Sequence, residues 1–160
     1  MKLYRRLPRL DLPNTTYFAN ITTADRRRWF GHPSCAEALC ELICAERGQS
    51  VLLHAFVVMP DHYHLLVTLL GDHRLPSVVG KINSLAARRV NALMVQSGGM
   101  WSRRFYDHGI RGTEDFEECF KYIHDNPRAR GLVAVAAEYP FSSASFFETG
   151  ESRWGSFDPW

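Results

Sequence analysis

Residues 51 to 69 read VLLHAFVVMPDHYHLLVTL. Two runs rich in β-branched and aromatic residues flank the break Met59-Pro60-Asp61, where proline removes a ladder donor. The stretch predicts an antiparallel hairpin with strands over 51–58 and 62–69. Successive strand side chains point to opposite faces. His62, His64, Leu66 and Thr68 therefore share one face, and Tyr63, Leu65, Val67 and Leu69 share the other. Two imidazoles held side by side on a rigid element are what a metal site needs. They are equally two half-buried histidines satisfied by hydrogen bonds. Two ligands do not make a site, so other segments must supply the rest.

The elements around this hairpin limit the architecture. YFANITT, 17–23, reads as a first strand, and SCAEALCELICAER, 34–47, as a helix. Ser34 with Glu37 has the spacing of a capping box, and Gly48 suits the C-terminal stop. Apolar spacing predicts a second helix over 77–96, ended by Ser97-Gly98-Gly99. A short strand is expected around Arg104-Phe105-Tyr106, within 101–110. Thr113, followed by Glu114 and Asp115, suits the start of a third helix. That helix is expected to stop before Pro127, because the residue preceding proline is driven from the α region. The order β-α-β-β-α-β-α predicts an α+β fold: an antiparallel sheet, ferredoxin-like, with helices covering one side. The 160 residues suit a single domain, with a basic N-terminal arm over about 1–13 and an irregular tail over about 131–160, loose from Gly150.

No apolar run approaches the length of a membrane span, and the basic N-terminus has no apolar core of the secretory kind. Cys35, Cys40, Cys44 and Cys119 have no CxxC spacing and read as buried thiols of a reducing compartment. The expectation is a cytoplasmic protein without a membrane partner. Net charge is only +2, so the clustering of arginine carries more than its total. Arg5 and Arg6, the run Arg26-Arg27-Arg28, Arg88, Arg103-Arg104, and Arg128 with Arg130 lie near Tyr4, Trp29, Trp101, Phe105 and Tyr106. Arginine beside aromatic rings suits single-stranded nucleic acid, which is held by phosphate contact and base stacking. Any one cluster alone reads as solvated arginine at a helix end. Monomer and homodimer both fit this sequence.

A second block, CFKYIHDNPRARGLV, places Tyr122 and Asn126 four residues apart, near one helix face. A phenol and an amide presented together could meet the two imidazoles. Taken singly, Tyr122 reads as a half-buried aromatic and Asn126 as a helix-end residue.

The blocks VVMPDHYHLLV, MWSRRFYDHGI, YIHDNPRARGLV and YPFSS, in this order between Tyr17 and Ser143, resemble the REP-associated tyrosine transposases. These are bacterial members of the HUH single-strand endonucleases. The resemblance implies that His62, His64 and Asn126 bind a divalent metal, Mg2+ or Mn2+, and that Tyr122 is the catalytic nucleophile. It implies cleavage of single-stranded DNA next to a hairpin, through a covalent 5′-phosphotyrosine. The glycine-rich lead that many members carry before the first strand is replaced here by Pro13-Asn14. A 3′ hydroxyl can attack such an ester directly, in keeping with the absence of a phosphate-binding glycine loop. His108 and His124 are candidates to activate Tyr122, His124 being expected to point away. Two other readings compete: a non-catalytic hairpin-binding module, and a metallohydrolase using a metal-bound water.

Overall fold

The computed structural model describes residues 13–160; the Arg5 and Arg6 expectation lies outside them. Four strands, β1 (Thr16–Thr22), β2 (Val51–Met59), β3 (His62–Leu69) and β4 (Tyr106–Gly109), form one antiparallel sheet in the order β2-β3-β1-β4. The helices are α1 (Pro33–Ala45), α2 (Leu75–Leu93), α3 (Thr113–Ala129) and the short α4 (Ala144–Thr149). The α+β, ferredoxin-like expectation holds for β1-α1-β2-β3-α2-β4. Helices on one side only does not hold. α1 and α2 bury Leu39, Ile43, Val78 and Ile82 against Tyr63, Leu65 and Val67, while α3 packs Cys119 and Ile123 against Phe18, Val57 and Leu66 on the opposite face. Each fully buried aliphatic side chain contributes roughly 1.5–3 kcal/mol by leaving water. A strand carrying apolar residues on both faces needs such cover on both.

The face assignments of β3 stand as expected. β2 departs from strict alternation. Leu53 pairs with Val67 but Ala55 with Leu66, so His54 is an extra, bulged residue. The bulge switches parity, sending Val51, Leu53, Phe56 and Val58 to the α1/α2 face, and Ala55, Val57 and Met59 to the α3 face.

Several helix boundaries differ from expectation, including those of α2, which spans Leu75–Leu93 rather than 77–96. α1 starts at Pro33, with His32 as its N-cap and no side-chain cap bond, so the Ser34–Glu37 box is not used. Proline's preset φ and missing N–H favour it at a first helical position. Thr113 is likewise the first residue of α3 rather than its cap, which is Gly112. Pro127 does not end α3; the helix runs through it to Ala129. Pro127 is itself buried, and the end is closed downstream. Gly131, at φ 70°, donates to the Arg128 carbonyl (3.0 Å) and Leu132 to the Pro127 carbonyl (2.9 Å). This paired closure satisfies the terminal carbonyls. Asn126 thus stays helical, one turn beyond Tyr122.

The tail after Gly150 is not loose. Phe157 is buried in the core. The Asp158 amide donates to the Leu53 carbonyl, and the Leu53 amide to Asp158 Oδ2, both at 2.9 Å. Arg47 grips the same carboxylate at 2.9 and 2.7 Å. Trp160 stacks on Phe116, ring centroids 4.5 Å apart.

Candidate active site

On the α3 face, β3 presents His62 and His64 side by side, ring centroids 4.8 Å apart. Pairing of β1 with β3 sets Thr22 opposite His62, and Asn20 opposite His64. Phe18 stacks on the His64 ring at 5.3 Å. From above, α3 lowers Tyr122 edge-on against His64, also at 5.3 Å, and brings Asn126 Nδ2 to 3.3 Å from His64 Nε2. The four residues expected from the sequence are therefore brought to one place. His64, His62 and Asn126 are only 0%, 3% and 5% exposed.

Polar groups this deeply buried almost always have hydrogen-bond partners. Here they do not. Among the described residues, the buried side-chain polar atoms without a partner are Asn20 Oδ1, His64 Nδ1 and Asn126 Oδ1. All three belong to this site. Asn20 was not singled out by sequence reasoning; only the β1–β3 register reveals it.

The electrostatics keep the imidazoles neutral. Burial holds His62 below its ordinary range, while Asp61 favours the charged form. Burial sets His64 well below, helped by His62 and Arg130. Asp61 Oδ1 lies 2.6 Å from His62 Nδ1. A carboxylate accepts the Nδ1 proton, which leaves Nε2 of His62 as the lone-pair nitrogen. Neutral, pre-oriented nitrogens and an unsatisfied amide oxygen fit a divalent cation.

A second group, His108, Asp115 and Cys119, also converges. His108 Nε2 is already bonded to both Asp115 oxygens, at 2.8 and 2.7 Å, and Asp115 also accepts the Arg111 amide. Burial pushes the Cys119 thiol up to about 12. This cluster ties β4 to the start of α3. His108 is thereby engaged with Asp115. His124 is engaged with Ser143 Oγ at 2.7 Å, pointing away as expected.

The arginines divide. Arg26 pairs with Asp61 at 3.5 Å, beside His62. Arg27 lies over Trp29, and Arg128 pairs with Asp125 at 3.3 Å. Arg103 and Arg104 are exposed just after Trp101-Ser102, where the Ser102 amide bonds the Thr22 carbonyl. Arg88 is exposed on α2, which covers the other face of the sheet, so it is not brought to the histidines. Among the described residues, no helix is long and apolar enough to cross a membrane.

Comparison with known proteins bears on the fold and the family. A family model described as "Transposase IS200 like" matches residues 13–126. A REP-associated tyrosine transposase of Escherichia coli (strain K12) is 27% identical over 144 residues, spanning 89% of this chain and 82% of that protein. A putative REP-associated tyrosine transposase of Haemophilus influenzae is 30% identical over 99 residues, 56% of either chain. A solved REP-associated tyrosine transposase bound to a REP hairpin superimposes with a TM-score of 0.73, at 24% identity, over 100% of this chain and 95% of that one. Its likeness establishes the fold. By fold and family match together, this chain belongs to the IS200-like transposase family, enzymes that nick and join DNA strands.

Proposed function

We propose that the protein cuts and rejoins single-stranded DNA beside a hairpin, with Tyr122 as nucleophile and His62, His64 and Asn126 as ligands of a divalent ion, Mg2+ or Mn2+. One observation carries the reading: the buried Asn126 oxygen has no partner, on a side chain that lies against His64 Nε2 where Tyr122 packs. When bound, the ion polarises the phosphoryl oxygen and offsets developing charge. The chain does the rest. Asp61 fixes the His62 tautomer, α3 holds Tyr122 and Asn126 one turn apart, and Phe18 packs against both His64 and Tyr122.

In the first step the Tyr122 oxygen attacks phosphorus and gives up its proton, while the bond to the 3′ oxygen breaks. The 3′ oxygen leaves as a hydroxyl and the 5′ phosphate stays on the tyrosine. Reversal by a 3′ hydroxyl restores the diester without a nucleotide cofactor. The hairpin partner is supported by the solved relative bound to a REP hairpin. Cytoplasmic location follows from the same reading, since DNA is the substrate.

The test is incubation with hairpin oligonucleotides and manganese, read on a denaturing gel. The native protein should give a covalent band, and digestion should leave the nucleotide on the Tyr122 peptide. Tyr122→Phe should bind DNA and give neither adduct nor nick. Nicking without any adduct would instead favour water as nucleophile, and binding without nicking a non-catalytic module.

A further inference from the structure

Next to His62 the surface dips into a cleft of about 250 Å3, lined by Arg28, Pro60, Asp61, His62, Arg130 and Leu132 among others. Its two arginines come from distant parts of the chain. Arg28 sits between two single turns of 3-10 helix after β1, anchored where the Phe30 amide bonds the Pro60 carbonyl at 3.0 Å. Arg130 caps the C-terminal end of α3, just before the Gly131 closure.

Five other arginines, Arg26, Arg47, Arg89, Arg128 and Arg153, have carboxylate partners. Arg28 and Arg130 have none among the described residues. A helix C-terminus alone accounts for one cation at Arg130. It does not account for a second guanidinium converging on the same cleft. The single carboxylate of the lining, Asp61, is already engaged by His62 and Arg26. Apolar Met59, Pro60 and Leu132 also line the cleft, and guanidinium is the cation best matched to the paired oxygens of a phosphodiester.

We propose that Arg28 and Arg130 clamp a phosphodiester of the DNA strand immediately adjacent to the scissile one, so that the strand runs from the His62–His64 pair into this cleft. The clamp rests on the reading that DNA is cut at that pair. Its task is to bind and to set register; it leaves the chemistry to Tyr122.

The test uses the manganese-loaded protein and a single-stranded hairpin oligonucleotide, with binding measured in a Tyr122→Phe background that cannot cleave. Arg28→Gln with Arg130→Gln should weaken binding roughly tenfold near 0.1 M salt. It should also reduce the slope of log affinity against log salt by about 1.4, at about 0.7 per single-strand phosphate contact. Arg89→Gln, on α2 across the sheet, should change neither. A neutral methylphosphonate at one linkage flanking the cut should weaken the parent protein and have no further effect on the double variant. Unchanged affinity and slope, or a methylphosphonate penalty equal in both proteins at every linkage, overturns the clamp. Absence of any DNA binding overturns it together with the DNA reading. With Tyr122 restored, the Arg28/Arg130 variant should still form adduct at saturating DNA. A native protein that binds through the cleft yet never forms adduct overturns the Tyr122 assignment and leaves the clamp standing.

Discussion

Two buried histidines on neighbouring strands, His54 and His64, have opposite surroundings. Around His54 every polar atom is paired. Its Nδ1 donates to the Asp158 carbonyl at 2.9 Å, so its Nε2 accepts from Thr68 Oγ1 at 2.7 Å. Thr68 in turn accepts from Thr16 at 2.7 Å, and Thr16 from the Trp160 indole at 2.9 Å. The direction of each bond follows from the last. Around His64 the chain of bonds breaks off in three unpartnered atoms. Both imidazoles are disfavoured as cations, chiefly by burial. What separates them is satisfaction: one histidine stabilises the fold, and the other is held ready for something from outside.

The sharpest way to break this contrast is to remove each ring. His54→Ala strands Thr68 and the Asp158 carbonyl and removes packing on Phe116. It should cost about 2–4 kcal/mol in urea unfolding and leave manganese affinity intact. His64→Leu replaces a ring held by one long hydrogen bond, to Asn126 at 3.3 Å, by an apolar side chain. Stability should stay within about 1 kcal/mol while calorimetric manganese binding disappears. Equal destabilisation by both, with the metal still bound to His64→Leu, would erase the distinction.

Acid should act on the satisfied histidines next. Burial lowers His124 to about 4, against an ordinary value of 6.5. The unfolded chain therefore takes up a proton that the folded chain refuses. Stability is fully present above about pH 6.5 and falls as pH drops toward 4, by up to about 3 kcal/mol for this group. The urea midpoint followed from pH 7 to 4 should decline, and more shallowly in His124→Gln. Parallel declines in the two proteins would remove His124 from the account.

The smallest effect concerns Asn20. An amide is poorly suited to a central strand, and its oxygen is unpaired. Asn20→Val should raise stability by about 0.5–1 kcal/mol and weaken manganese binding severalfold. A loss of stability would show that Asn20 serves the fold rather than the site.

How much of this was legible in the sequence depended on distance along the chain. The hairpin, its two faces and the His62–His64 pair are local facts of period two. The Tyr122–Asn126 spacing is equally local, and the order of the four blocks tied it to the histidines. The His54 bulge was not legible, because an extra residue exists only relative to the strand opposite. Pro127 was misjudged because its cost is local, whereas the burial that offsets it is not. Asn20 needs the β1–β3 register to become visible. The pairing of Arg28 with Arg130 needs the whole path of the chain between them.

The clasp of the C-terminal residues on β2 has a consequence for how the molecule is made. β2 is an edge of the sheet, and an open edge is a template for pairing with another chain. Here it is covered by Phe141 and Ser143, bonded to Val58 and Phe56, and by Asp158 on Leu53. The partners in that last contact lie 105 residues apart, and Trp160 reaches Thr16 across 144. During synthesis the histidine strands exist long before their seal does. Until residue 160 has emerged, the nascent sheet presents an unsealed flank, and the interval in which it can pair wrongly is set by translation rate rather than by thermodynamic stability.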